Sequence, residues 1–181
     1  MYEIFYDSFD YTLISEHPEK ILVKLLLKNG LKISTAESCT GGLISKKITD
    51  VVGVSPAFEC GICSYSNRIK HKILGVNLGT LDNFTAVSHQ TALEMAIGIK
   101  KISGADIGIS VTGFAGPPMP GSFDKVGLVF IGAVCQNFRT VIKLNIANNM
   151  ENERDYIRET AANHALSIAI KIVKKISNFE Q

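Results

Sequence analysis

The chain has 181 residues, of which 46% are hydrophobic, and a formal net charge of +2 at pH 7. That length suits one domain with a substantial core. The balanced charge leaves no electrostatic footprint for nucleic acid, and the longest apolar run, Val126 to Cys135, is about half a membrane span.

Met1 to Ser15 shows no clear period and is acidic and aromatic, unlike a signal peptide. We read it as an extension, loosely ordered or packed on a neighbour, ahead of a single domain over residues 16–181. Pro18 opens a helix with the stripe Ile21, Leu22, Leu25 and Leu26, and Gly30 ends it. Leu31 to Thr35 is β-prone. A polar turn, Ala36 to Gly42, leads into an amphipathic helix from about Gly41 to Val52, with Leu43, Ile44, Ile48, Val51 and Val52 at helical spacing. Gly53-Val54-Ser55-Pro56 breaks the chain. Phe58 to Ser66 then reads as a strand ending at Tyr65, Ser66 and Asn67, and a short basic helix from Arg68 to Leu74 carries Lys70 in its first turn.

Ser88 N-caps the next helix, with Val87 and Ala92 as a hydrophobic staple and Ala92, Ala96 and Ile99 facing inward. His89 falls in its exposed first turn and is given no chemical role. Asp106 to Thr112 alternates Ile107, Ile109 and Val111 with Gly108, Ser110 and Thr112. This is a central strand whose small face admits close packing, and it ends in a second tight turn, Thr112 to Pro118. A polar loop, Met119 to Lys125, precedes two hairpin strands, Val126 to Cys135 and Phe138 to Ala147, joined around Gln136-Asn137. The last helix, Glu151 to Ile176, has the stripe Ile157, Ala161, Ala165, Ile168, Ile172 and Ile176. The alternation predicts an α/β fold, a three-layer α/β/α sandwich with a mixed central sheet. Ligands collect at the C-terminal ends of strands in such sheets, and the turns at Ser38, Tyr65 and Thr112 all follow strands.

The Ser38 turn presents a hydroxyl, the Cys39 thiol, the Thr40 hydroxyl and Gly41-Gly42 just ahead of a helix. The free N–H groups and dipole at a helix start suit an anion or a developing oxyanion. The same features also serve merely to cap the helix. No Gly-Lys-Ser/Thr closes the turn as in a Walker loop, and it is not a Gly-x-Ser-x-Gly elbow. A hydroxyl needs a base to become a nucleophile. None of the four histidines, at 17, 71, 89 and 164, lies in a motif turn, which argues against a Ser/His/Asp triad. Lys70 is the remaining candidate, provided burial and the positive helix end keep it neutral. Arg154 and Arg158 share one helix face, where they grip a phosphate together or pair with Glu151, Asp155 or Glu159. Cys60-Gly61-Ile62-Cys63 has metal-like spacing without a second pair, and on a strand the two thiols face opposite ways, so no metal is expected. Nothing suggests a disulfide framework, which fits a reducing cytoplasm.

The run Thr35-Ala36-Glu37-Ser38-Cys39-Thr40-Gly41-Gly42 resembles the signature of the CinA C-terminal domain family, the nicotinamide mononucleotide deamidases. Further blocks agree in order: Tyr65-Ser66-Asn67-x-x-Lys70, Ala86-Val87-Ser88, Gly104-Ala105-Asp106, Val111-Thr112-Gly113-Phe114-Ala115-Gly116-Pro117 and, more weakly, Arg154-x-x-x-Arg158. The resemblance spans residues 16–176. It implies Ser38 as nucleophile, Lys70 as base and Tyr65 as an orienting or relaying group. It implies oxyanion and substrate contacts from Cys39, Thr40, Gly41, Gly42, Asn67, Thr112, Gly113, Gly116, Arg154 and Arg158. It further implies a pyridine nucleotide substrate, no cofactor or metal, and a homo-oligomer; the cysteine usage, balanced charge and short apolar run add the expectation of a cytoplasmic protein with neither nucleic acid nor membrane as partner. A non-catalytic nucleotide- or partner-binding module and a thiol enzyme using Cys39 stand as alternatives. The chain departs from the family pattern at Cys60, where an arginine is usual, around Pro118 to Lys125, and at Asn152-Glu153. The larger family proteins also carry an N-terminal domain resembling molybdopterin-binding folds, for which this sequence has no counterpart.

Overall fold

A computed structural model of the chain describes residues 3–6, 13, 15–118, 125–136, 138–146 and 153–179. The elements in chain order are β1 (Glu3–Tyr6), α1 (Pro18–Asn29), β2 (Ile33–Glu37), α2 (Leu43–Thr49), β3 (Phe58–Cys63), α3 (Asn67–Leu74), α4 (Leu78–Phe84), α5 (His89–Ser103), β4 (Ile107–Gly113), β5 (Leu128–Val134), β6 (Phe138–Asn145) and α6 (Glu153–Phe179). The strands form one six-stranded sheet in the order β1-β6-β5-β4-β2-β3. β2 pairs in parallel with both β3 and β4. β5 runs antiparallel to both its neighbours, so the sheet is mixed, as the alternation predicts.

Helices cover both faces. On one, α1, α2 and α6 close a large core in which Leu22, Leu26, Ile48, Ile109, Ile131 and Ile168 are almost wholly buried. Fully burying one such side chain contributes about 1.5–3 kcal/mol. On the other face α5 lies unusually close to the sheet. The Ser110 hydroxyl donates to Ala92 O at 2.5 Å. A methyl group on Gly108 or Gly132 would strike the α5 carbonyls of Ala96 or Ala92 at 2.4 Å. The small face of β4 thus exists to admit α5.

Several sequence-based boundaries shift. α2 ends at Thr49 rather than near Val52. Gly53, at φ +82°, turns the chain away, and Val52 is 98% exposed. The β-branched pair Val51-Val52 does little to prolong a helix. α4 is a short helix the periodicity did not predict; Asn77 caps it by accepting from Gly79 N. Glu3–Tyr6 is not loose chain but an edge strand parallel to β6. β3 ends at Cys63, although Ser64 N–H still donates to Glu37 O at 2.8 Å. Cys60 packs against the α5-side cluster while Cys63 is exposed, on the opposite face as expected. The turn at Asn137, the loop over 119–124 and the expected helix start at Glu151 lie outside the described residues.

Candidate active site

Three parallel strand ends converge here. The register sets Glu37 beside Cys63 on β3 and beside Val111 on β4. Ser38 N–H continues the ladder by donating to Val111 O at 3.0 Å. Gly41 and Gly42 then take φ of +62° and +95°, a reversal that glycine makes without a Cβ penalty. Gly41 N–H donates back to Ser38 O at 3.1 Å.

The start of α2 is not open. Glu37, fully buried, accepts from Gly42 N and Ile44 N on one carboxylate oxygen, both at 3.0 Å. Its other oxygen accepts from Ser45 N at 2.8 Å and Ser45 Oγ at 2.7 Å. The expectation that amides over Thr40 to Gly42 face an empty turn is therefore corrected. Gly41 and Gly42 spend theirs internally, and the Cys39 and Thr40 amides lie against the Cys39 sulfur. An acid directly ahead of a helix start favours the positive end of the dipole; that signal stands in the sequence at Glu37.

Lys70, 1% exposed, reaches the serine from the first turn of α3. Ser66 fixes that turn by accepting from Ile69 N at 3.3 Å. Lys70 Nζ lies 2.8 Å from Ser38 Oγ and donates to Ser64 O at 2.7 Å and to Tyr65 O at 3.4 Å. No described carboxylate pairs with it. Burial lowers its pKa from 10.5 to about 8, against weaker opposing effects of Cys39 and Cys63. A neutral amine has two hydrogens and one lone pair. With the hydrogens on the Ser64 and Tyr65 carbonyls, the lone pair faces the serine proton. After taking that proton the ammonium has a third donor for the same oxygen, so neither state needs a rearrangement.

Ser38 and Lys70 open onto a cavity of about 270 Å³ that Cys39, Tyr65, Thr112, Gly113, Gly116 and Arg154 also line. Tyr65 touches Lys70 through its carbonyl, and its side chain is 65% exposed. The Thr112 hydroxyl is spent on Ala86 O at 2.7 Å, which holds the Ala86-Val87 wall in place. Arg154 donates to Gly116 O. Thr40, Gly41, Gly42, Asn67 and Arg158 do not line the cavity. Asn67 is exposed at the start of α3. Arg158 sits behind the nucleophile turn and donates to Thr40 O at 3.0 Å. The two arginines therefore do not grip one ligand together; each braces a different turn. Cys39 is buried, and burial pushes its thiol up to about 12, the reverse of an activated thiolate. Sequence reasoning missed Glu37, the Ser64 carbonyl and the apolar wall of Phe114, Pro117, Pro118 and Val126.

A family model described as the CinA C-terminal domain matches residues 15–173. A CinA-like protein from Kosmotoga olearia is 49% identical over 156 residues, covering 86% of this chain and 37% of its own length. The chain thus spans under two fifths of the curated relatives it matches. Among solved structures, the competence/damage inducible protein CihA from Agrobacterium tumefaciens superposes with a TM-score of 0.80 at 34% identity, covering 89% of this chain and 98% of that one. A competence or damage-inducible protein from Enterobacter asburiae gives 0.80 at 30% identity, with 87% and 97% covered.

Proposed function

The chain belongs to the CinA C-terminal domain family, and from that premise we propose that it is an amidohydrolase converting nicotinamide mononucleotide to nicotinate mononucleotide and ammonia. The observation that carries this reading is the buried Lys70 amine, 2.8 Å from the Ser38 hydroxyl and lowered to about 8. A base poised near the working pH is what proton abstraction from an alcohol requires.

Ser38 Oγ attacks the carboxamide carbon and its proton passes to Lys70 Nζ. The carbonyl oxygen becomes an oxyanion held by backbone N–H of the nucleophile turn; one such donor lowers the barrier by about 3 kcal/mol. The C–N bond breaks, Lys70 returns the proton to the departing nitrogen, and ammonia leaves. Water then attacks the acyl ester, again giving its proton to Lys70, and Ser38 is restored. The apolar wall of Ala86, Val87 and Phe114 takes the pyridine ring, and Arg154 takes the phosphate. Each step uses groups of this chain alone.

The test is ammonia release from a panel of nicotinamide compounds: the free base, the riboside, the mononucleotide and the dinucleotide. The reading expects the mononucleotide to be the best substrate. Equal rates on the riboside would remove the phosphate assignment, and no release from any of the four would remove the amidase reading.

A further inference from the structure

Glu37 is the most completely engaged polar side chain near the site, and the reaction as written gives it no task. A carboxylate offers about four lone-pair sites. Glu37 fills them with Gly42 N, Ile44 N, Ser45 N and Ser45 Oγ. Its own carbonyl accepts from Ser64 N at 2.8 Å, and the Ser64 carbonyl in turn accepts from Lys70 Nζ at 2.7 Å. One residue therefore fastens the nucleophile turn with its side chain and the anchor of the base with its backbone.

We propose that Glu37 is the positioning residue of the site: by taking the amides at the start of α2, it fixes the turn that holds the Ser38 hydroxyl 2.8 Å from Lys70 Nζ. The proposal rests on the amidohydrolase reading above. It has a second consequence. The buried carboxylate already offsets the positive end of α2, so that end does not attract the substrate phosphate. The phosphate is directed instead to Arg154, the cation at the other side of the cavity. A stray displacement of about 1 Å at such a turn costs on the order of 100-fold in rate.

The experiment compares wild type, Glu37→Gln and Ser45→Ala in two assays. One is steady-state ammonia release from nicotinamide mononucleotide, normalised to the folded fraction. The other is the rate at which a fluorophosphonate probe labels Ser38, losing fluoride as the serine oxygen bonds to phosphorus and the phosphoryl oxygen enters the oxyanion site. Gln keeps an acceptor for Ser45 but turns an NH2 toward the amides of Gly42 and Ile44. We expect kcat and labelling to fall roughly 10- to 100-fold in Glu37→Gln, with KM within about twofold, and a smaller fall of the same pattern in Ser45→Ala. Unchanged kcat and labelling in both variants would overturn the proposal, as would losses confined to KM or to the folded fraction. If Glu37→Gln does not fold, Ser45→Ala decides alone. If wild type is labelled but releases no ammonia, the amidase reading falls while the labelling rates still judge Glu37. If wild type is neither labelled nor active, both fall.

Discussion

Two turns face each other across the cavity, and they are built differently. The first, Glu37 to Gly42, follows β2. Its bonds are mostly local: Glu37 holds the start of α2 and Gly41 N–H returns to Ser38 O, while Arg158 pins Thr40 O from behind. The second, Gly113 to Pro118, follows β4. It is tied to the hairpin through Phe114 N–H to Leu128 O at 3.0 Å and Gly127 N–H to Phe114 O at 2.8 Å. Beyond that, Arg154 reaches Gly116 O. The first turn carries the reacting groups and is over-determined. The second contributes walls and is braced by one exposed cation, Arg154. Arg154 and Arg158, one turn apart on α6, each brace a different one. Chemistry is thus assigned to the locked turn and recognition to the braced one, a division that substitution can break.

The largest effect is expected at the locked turn. Ser38→Ala should reduce ammonia release by at least about a thousandfold, with an unchanged melting temperature. Lys70→Met should reduce it by about 10²- to 10⁴-fold and should also stabilise the protein at neutral pH. The sign follows from burial. The folded pKa of about 8 lies below the ordinary 10.5, so the unfolded chain binds more protons in between. Wild-type stability therefore rises as pH increases from about 8 to 10.5, and a penalty of roughly 3 kcal/mol is present in full below about 8. Removing the amine relieves that penalty. Melting curves of the two proteins at pH 7 and pH 10 should differ at the first and approach each other at the second.

A medium effect separates the arginines. Arg154→Ala should raise KM about tenfold with kcat nearly kept, because Arg154 lines the cavity. Arg158→Ala should do the reverse, lowering kcat about tenfold with KM kept, because among the described residues it bonds the Thr40 carbonyl and Asp155 and does not line the cavity. If both variants changed the same parameter, the division between the turns would be lost. The smallest effects are expected at Asn67→Ala and Cys39→Ala. Asn67 lies outside the cavity, and the Cys39 thiol, raised to about 12, is protonated at working pH. Steady-state rates within about threefold of wild type are expected for both. A loss at Cys39 as large as that at Ser38 would instead revive a thiol nucleophile.

Much of this was legible in the residues, for identifiable reasons. The α1 stripe with Pro18 and Gly30, the alternation of β4 and the long period of α6 are strong local patterns, and each became the expected element. The turns at Ser38, Tyr65 and Thr112 could be grouped because each follows a strand, and parallel pairing of β2, β3 and β4 brings those ends together; Lys70 joined them as the remaining candidate base and Arg154 through the family resemblance. What was illegible depends on tertiary contact. The acid at Glu37 is a local hint, but which amides of α2 it takes is set by the fold, which is why the Gly41 and Gly42 amides looked available. Nothing in an i, i+4 spacing tells that Arg154 leans toward one turn and Arg158 toward the other. The Tyr65 contribution is equally hidden, since what touches Lys70 is a carbonyl that every residue type carries. α4 escaped because seven residues with one buried apolar side chain, Leu81, carry little periodicity.

The most direct measurement is the pH dependence of kcat for ammonia release from nicotinamide mononucleotide between about pH 6 and 10. A neutral Lys70 as base predicts a rate that climbs tenfold per pH unit at the acid end and levels off above a midpoint near 8. A flat profile over that range, or the same midpoint in Lys70→Met, would contradict the account.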